Sequence, residues 1–64
     1  MPPRLVEQFP VGSPVEIAFE DRCGRPSWVP GVVVRHDFPA VWVRTPDGRE
    51  WFVTSGRRIR ARPA

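Results

Sequence analysis

Val41-Trp42-Val43-Arg44-Thr45-Pro46-Asp47-Gly48-Arg49-Glu50-Trp51-Phe52-Val53-Thr54 is the stretch on which the fold turns. Pro46 presets the first turn position, Asp47 suits the second, and Gly48 takes the left-handed conformation that closes a three-residue hairpin. The flanking segments are then antiparallel strands. A bulged three-residue loop sets Thr45 opposite Arg49, Arg44 opposite Glu50, Val43 opposite Trp51, Trp42 opposite Phe52 and Val41 opposite Val53. One face gathers Val41, Val43, Trp51 and Val53, while the other sets Trp42 beside Phe52 and pairs Arg44 with Glu50. A two-residue loop would slip the pairing by one and put Trp51 beside Arg44. The first register pairs opposite charges and groups four apolar side chains, so it is preferred.

Outward from this hairpin the chain continues in short strands. Trp28-Val-Pro-Gly-Val-Val-Val-Arg35 is an apolar run broken by Pro30 and Gly31, which predicts one long strand bent there so that it serves two sheets. Asp37-Phe38-Pro39-Ala40 is the turn that follows it. Val15-Glu16-Ile17-Ala18-Phe19 alternates, with Val15, Ile17 and Phe19 inward. Glu20 to Ser27 is polar and predicts a loop with an exposed tip of variable shape. Ser55-Gly56-Arg57 is a turn, and Arg58 to Arg62 alternates again with Ile59 and Ala61 inward. Residues 1–10 form an arm, extended or single-turn, and residues 11–64 the domain.

Composition agrees with this pattern. The 64 residues include nine prolines, and no proline-free stretch is long enough for a long helix without a glycine in it. Ten valines against one leucine, with seven Trp and Phe, favour pleated strands. At this length only about 60 % of the unfolded surface can be buried, which allows one small core and excludes a multi-domain enzyme. No apolar run approaches the roughly 18 residues of a membrane helix.

Net charge is +3 and every basic residue is arginine. Residues 1–48 carry five arginines against six acids, and residues 49–64 carry five against one, so the basic character sits in the last quarter. That distribution points to a polyanionic partner or to a solvated charged face. Cys23 is the single cysteine, which excludes an internal disulfide, and Cys23 with His36 is too small a set for structural zinc. The first residues lack the pattern of a signal peptide, so a cytosolic location is expected.

Five short strands with a kinked second strand and a one-turn step before the fifth resemble the Src-homology-3-like small barrel. Val11-Gly12-Ser13-Pro14-Val15-Glu16-Ile17, Trp28 with Pro30-Gly31-Val32, Val41-Trp42-Val43, the Pro46-Asp47-Gly48 turn and Arg58-Ile59-Arg60 carry the likeness. Within that group the chain is similar to Tudor, Agenet and KOW-type barrels, whose members bind modified peptides, proline-rich peptides, RNA, DNA or ribosomal surfaces. The resemblance implies an all-β, five-stranded barrel with a short N-terminal arm. It also places Phe19, Trp28, Trp42 and Trp51 near the strand positions of a Tudor aromatic cage. The register turns Phe19 and Trp51 into the core instead.

Three candidate sites follow. Trp42 and Phe52, flanked by Arg44, form a surface that could stack a base or hold a peptide side chain. Leu5, Val6 or Phe9 of the arm is the favoured cover for that pair, since a small domain rarely leaves two large rings bare. Arg58, Arg60 and Arg62 alternate onto one side of the last strand with Arg57 at its start, a row suited to successive phosphates or to protection of a sheet edge. Cys23 lies between Arg22 and Arg25, and His36-Asp37 offers a base, but the two sit in different turns; an incidental loop cysteine is the better account. No phosphate-binding glycine loop and no carboxylate pair is present, so no enzyme, cofactor or metal is expected.

The leading expectation is therefore a non-enzymatic module that binds nucleic acid weakly through phosphates, using Arg44, Arg57, Arg58, Arg60 and Arg62, with Trp42 and Phe52 stacking. The alternative is an adaptor or inhibitor that docks a protein on Trp28, Trp42 and Phe52. Self-association through strand edges would add interface burial to a limited core.

Overall fold

The computed structural model describes residues 4–63. Among them one short helix, α1 (Leu5–Gln8), precedes five strands: β1 (Pro14–Glu20), β2 (Pro26–Asp37), β3 (Ala40–Arg44), β4 (Glu50–Val53) and β5 (Ile59–Ala61). They form one antiparallel sheet in the order β4-β3-β2-β1-β5. The sheet is open, with β4 and β5 as its edges. Val53 on one edge strand and Ile59 on the other nonetheless share a single apolar cluster, so the sheet curls over its own face.

The β3–β4 hairpin has the expected register, from Val41 opposite Val53 to Arg44 opposite Glu50. The Gly48 amide donates to the Thr45 carbonyl at 2.9 Å, and the Thr45 amide to the Arg49 carbonyl at 3.0 Å. Gly48 has φ of +86°, the left-handed conformation such a loop needs at that position. Thr45 is the one buried polar residue in the described chain. Its hydroxyl donates to the Asp47 carboxylate and accepts from Trp51 Nε1 at 3.1 Å, while Asp47 Oδ1 also accepts the Arg49 amide at 3.2 Å. The hairpin is thus tied to its own turn through a continuous polar chain.

The largest fully buried side chains are Val15, Val33, Val41 and Val43. A thin core between curled strands takes β-branched side chains well, and the larger rings lie around it. Phe19 and Trp51 are such rim residues, half-buried against the cluster and edge-to-face at 4.8 Å.

Two sequence expectations are corrected here. β2 does not divide between two sheets at Pro30-Gly31; it runs through a single sheet, and its irregularity falls between Val33 and Arg35. Pro30 lies where β2 has only β1 as a partner, so the strand there has a free side for a residue without an N–H. Gly31 serves close approach instead of a bend: a Cβ there would lie 2.6 Å from Val43 Cγ1 and 2.9 Å from the Arg44 carbonyl oxygen. The loop between β1 and β2 is also shorter and more ordered than expected. Asp21 Oδ1 accepts the amides of Cys23 and Arg25 at 2.8 and 2.9 Å, which folds residues 21–25 into a tight turn and lets both strands run up to it.

The arm forms the single turn that was one of its two expected shapes, but on the other side of the sheet. Leu5 and Phe9 are buried in the cluster with Val41, Val43 and Val53, the face opposite Trp42 and Phe52. His36 Nε2 donates to the Phe9 carbonyl at 2.8 Å and latches the arm to the end of β2. The expected cover over Trp42 and Phe52 is absent.

Candidate nucleic-acid interface

Strand alternation decides which side chains stand on the outer face of the sheet. Val15, Ile17, Val33, Val41, Val43 and Val53 point inward, so Glu16, Trp28, Val32, Trp42, Arg44, Glu50 and Phe52 point outward. Arg35 joins them because the bulge at Val34 resets the alternation and places Arg35 opposite Trp42.

The Trp42 and Phe52 rings lie side by side, centroids 5.1 Å apart and tilted by 47°. Phe52 is 53 % exposed. The Arg35 guanidinium sits 4.7 Å over the half-buried Trp42 ring as a cation on a ring face, so it covers that ring and presents its own outer side. Arg35 was missing from the sequence-based candidates, since uninterrupted alternation would turn it inward.

Glu50 holds this cluster in place. Arg44 Nη2 donates to Glu50 Oε2 at 3.0 Å, and Arg35 Nη1 lies 3.0 Å from Oε1. The second contact is an ion pair without hydrogen-bond alignment, so the buried Oε1 has a charge partner but no aligned donor. The Arg44 hydrogen bond holds the Glu50 carboxyl below its ordinary value against the opposing effect of desolvation, with the positive charges of Arg35 and Arg44 adding to the lowering.

The basic row of the last strand does not act as a unit. Regular strand covers only Ile59–Ala61, so Arg58 and Arg62 flank it. Arg60 is committed: its Nε donates to Glu16 Oε1 at 2.9 Å and its guanidinium lies 3.9 Å over the Trp28 ring. Among the described residues the ion pairs are those of Arg35 and Arg44 with Glu50, Arg49 with Asp47, and Arg60 with Glu16. Arg57, Arg58 and Arg62 have no acidic partner among those residues. Arg58 and Phe52 line one groove of about 210 Å³ between β1 and β4, where the curled sheet stays open. Arg62 and Arg44 line a shallow hollow over Val32.

The four rings of the possible cage do not converge. Phe19 and Trp51 pair on the inner side, and Trp28 and Trp42 stand apart on the outer one. Phe19 and Trp51 instead border an apolar cleft of about 460 Å³ with Val29, Pro30 and Pro46. Cys23 is exposed in its turn, and His36 is engaged with the arm. Among the described residues no three His, Cys, Asp or Glu side chains gather as a metal site would require, and no helix is long and apolar enough to cross a membrane. Comparison with protein-family models, with curated proteins and with solved structures finds no match to this chain.

Proposed function

We propose that this chain is a small non-enzymatic binding module of the Src-homology-3-like barrel type that takes nucleic acid, chiefly through phosphates. The strand order and the curl of the sheet support the barrel reading. The observation that carries the function is the exposed Phe52 ring beside Trp42, which Arg35 overlies, with Arg44 and Arg58 at the margins. The outer face and its margins hold Arg35, Arg44, Arg58, Arg60 and Arg62 against Glu16, Glu20, Asp37 and Glu50, a small positive excess to which Arg57 adds.

Phosphate contact should fall to Arg57, Arg58 and Arg62, which have no acidic partner among the described residues, and less to Arg60. Fluorescence anisotropy of labelled oligonucleotides tests this at about 50 and 200 mM salt, where three neutralised phosphates give a slope of about −2 to −3 in log K against log salt. The triple alanine variant at Arg57, Arg58 and Arg62 should lose most of that slope, and Arg60→Ala should keep it. Absence of binding at low salt, or binding indifferent to salt, refutes the proposal.

A second reading, docking of a protein partner, is favoured by the apolar cleft between Phe19, Trp51 and Pro46. It separates cleanly from the first, because the arginine variant would leave it intact and Trp51→Ala would not.

A further inference from the structure

We infer that the nucleic acid taken by this surface is single-stranded, with bases stacked on a platform formed by Phe52, Trp42 and Arg35. The inference rests on the nucleic-acid reading above and narrows it. In a duplex both faces of every base are occupied by neighbours, and only the base edges reach the grooves. Reading those edges takes a helix or a ribbon that enters a groove about 12 Å wide. The helix among the described residues is four residues long and is the arm's own turn, packed on the core through Leu5, and the rings here lie within the curved face of a sheet. Such rings are met face-on only by a base already free of its stack.

The geometry of the platform fits that use. Phe52 presents an open ring, Trp42 lies 5.1 Å from it, and Arg35 stands 4.7 Å over Trp42 with more than half its side chain exposed. A guanidinium plane stacks a base as an aromatic ring does, so two surfaces stand open across the sheet: the Phe52 ring on β4, and the Arg35 guanidinium on β2, backed by Trp42 of β3. Arginine lies at both ends of the platform. Arg58, with Glu20 in the same groove, stands across from Phe52, and Arg44 stands beside Arg35 on Glu50. A strand crossing the sheet can therefore turn its bases onto the rings while its phosphates meet arginine on either side. Nothing in this arrangement reads base edges, so pyrimidine and mixed strands should bind alike, and the shared chemistry is the unpaired base with its phosphate.

The test compares oligothymidine DNA, oligouridine RNA and a mixed-sequence DNA duplex, each about 20 nucleotides or base pairs long so as to exceed a site of roughly 4–16 nucleotides. Anisotropy is read on the wild type, Phe52→Ala and Arg35→Ala, with Trp emission followed in parallel. Phe52 is exposed, so its removal leaves the core whole. The expected result is tighter binding of both single strands than of the duplex, quenching of Trp emission on binding, and a loss of roughly 5- to 150-fold for single strands in Phe52→Ala. The two single-stranded arms show whether DNA or RNA is preferred. Equal binding of duplex and single strand, with Phe52→Ala and Arg35→Ala unaffected, overturns the inference and leaves the phosphate-driven reading standing. Absence of binding to all three at low salt overturns both.

Discussion

Replacing Gly31 with alanine should destabilise the fold, because β3 leaves no room for a side chain at that residue. The added carbon would lie 2.6 Å from Val43 Cγ1 and 2.9 Å from the Arg44 carbonyl oxygen. Carbon pairs rest at about 3.5–4.0 Å, so about 1 Å of movement is needed. Val43 is fully buried and has little room to turn, and the Arg44 carbonyl belongs to the backbone of the neighbouring strand. Overpacking of this kind costs about 1–3 kcal/mol. Taken at the middle of that range, about 2 kcal/mol, and less the roughly 0.4–1 kcal/mol that alanine returns through the entropy of the unfolded chain, the net loss is about 1–1.6 kcal/mol. With a urea m-value near 1 kcal/mol per molar for so small a domain, the midpoint should fall by about 1–1.6 M. Gly56→Ala is the control, since its added carbon meets only Leu5 Cδ2 at 3.8 Å, an ordinary contact. Urea unfolding followed by circular dichroism reads both variants. A Gly31→Ala midpoint within about 0.5 M of the wild type would refute the close-approach argument, because no overpacking of the size above would then exist. Adding Val43→Ala removes one of the two clashes, so the double variant should be more stable than the sum of the singles implies.

Thr45→Val should cost about 1–3 kcal/mol, since it keeps the shape but strands the Trp51 indole N–H and removes a donor from Asp47, whereas Thr45→Ser should retain most of the stability. Thermal unfolding of the pair decides it, and equal midpoints for Val and Ser would count against the polar chain. Stability should also fall in acid. The Thr45 hydroxyl, followed by the Arg49 amide, holds the Asp47 carboxyl below its ordinary 3.8, and Arg44 and Arg35 hold Glu50 below 4.5. A folded-state pKa below the unfolded one gives stability that is complete above the ordinary value and is lost as pH falls through the lowered one. Urea midpoints from about pH 6 to about pH 2 should therefore drop below about pH 4.5, and Asp47→Asn with Glu50→Gln should flatten that drop. An unchanged slope in the double variant would place the acid sensitivity elsewhere.

The β3–β4 hairpin was legible because turn chemistry and charge agreed. Pro46-Asp47-Gly48 fixed the loop length, and only one of the two registers then brought Arg44 to Glu50. The β1–β2 turn was harder, because its order comes from one side chain. Asp21 collects two amides from residues that composition alone marks as loop, and the strands extend to meet it. The side taken by the arm followed from a competition that the arm's own residues do not reveal. Leu5 and Phe9 could have covered the Trp42 and Phe52 rings or the open end of the valine core, and a single turn of chain covers one of them. The core contacts prevailed, with Leu5 and Phe9 joining Val41 and Val53 and His36 holding the Phe9 carbonyl. As a result the arm leaves the outer rings to Arg35, which overlies Trp42, and to solvent, which meets Phe52.

The bulge at Val34 explains both of the features that strand alternation missed. If β2 alternated without interruption from Val33, Val34 would face outward, Arg35 inward and His36 outward. One extra residue exchanges the last two, so that Arg35 lies opposite Trp42 and His36 opposite Val41. Arg35 then reaches the Trp42 ring and Glu50, and His36 reaches the arm. The signal for this exchange was in the sequence. An arginine at an inward position of an apolar strand would have to bury its charge unpaired, at a cost far above that of one irregular residue. Val32-Val33-Val34 supplies three residues able to face the core, so slipping by one keeps a valine inside and turns the charge out. A charged residue that breaks strand parity beside a run of interchangeable apolar ones therefore marks a bulge, and here it also marks the residue that completes the stacking platform.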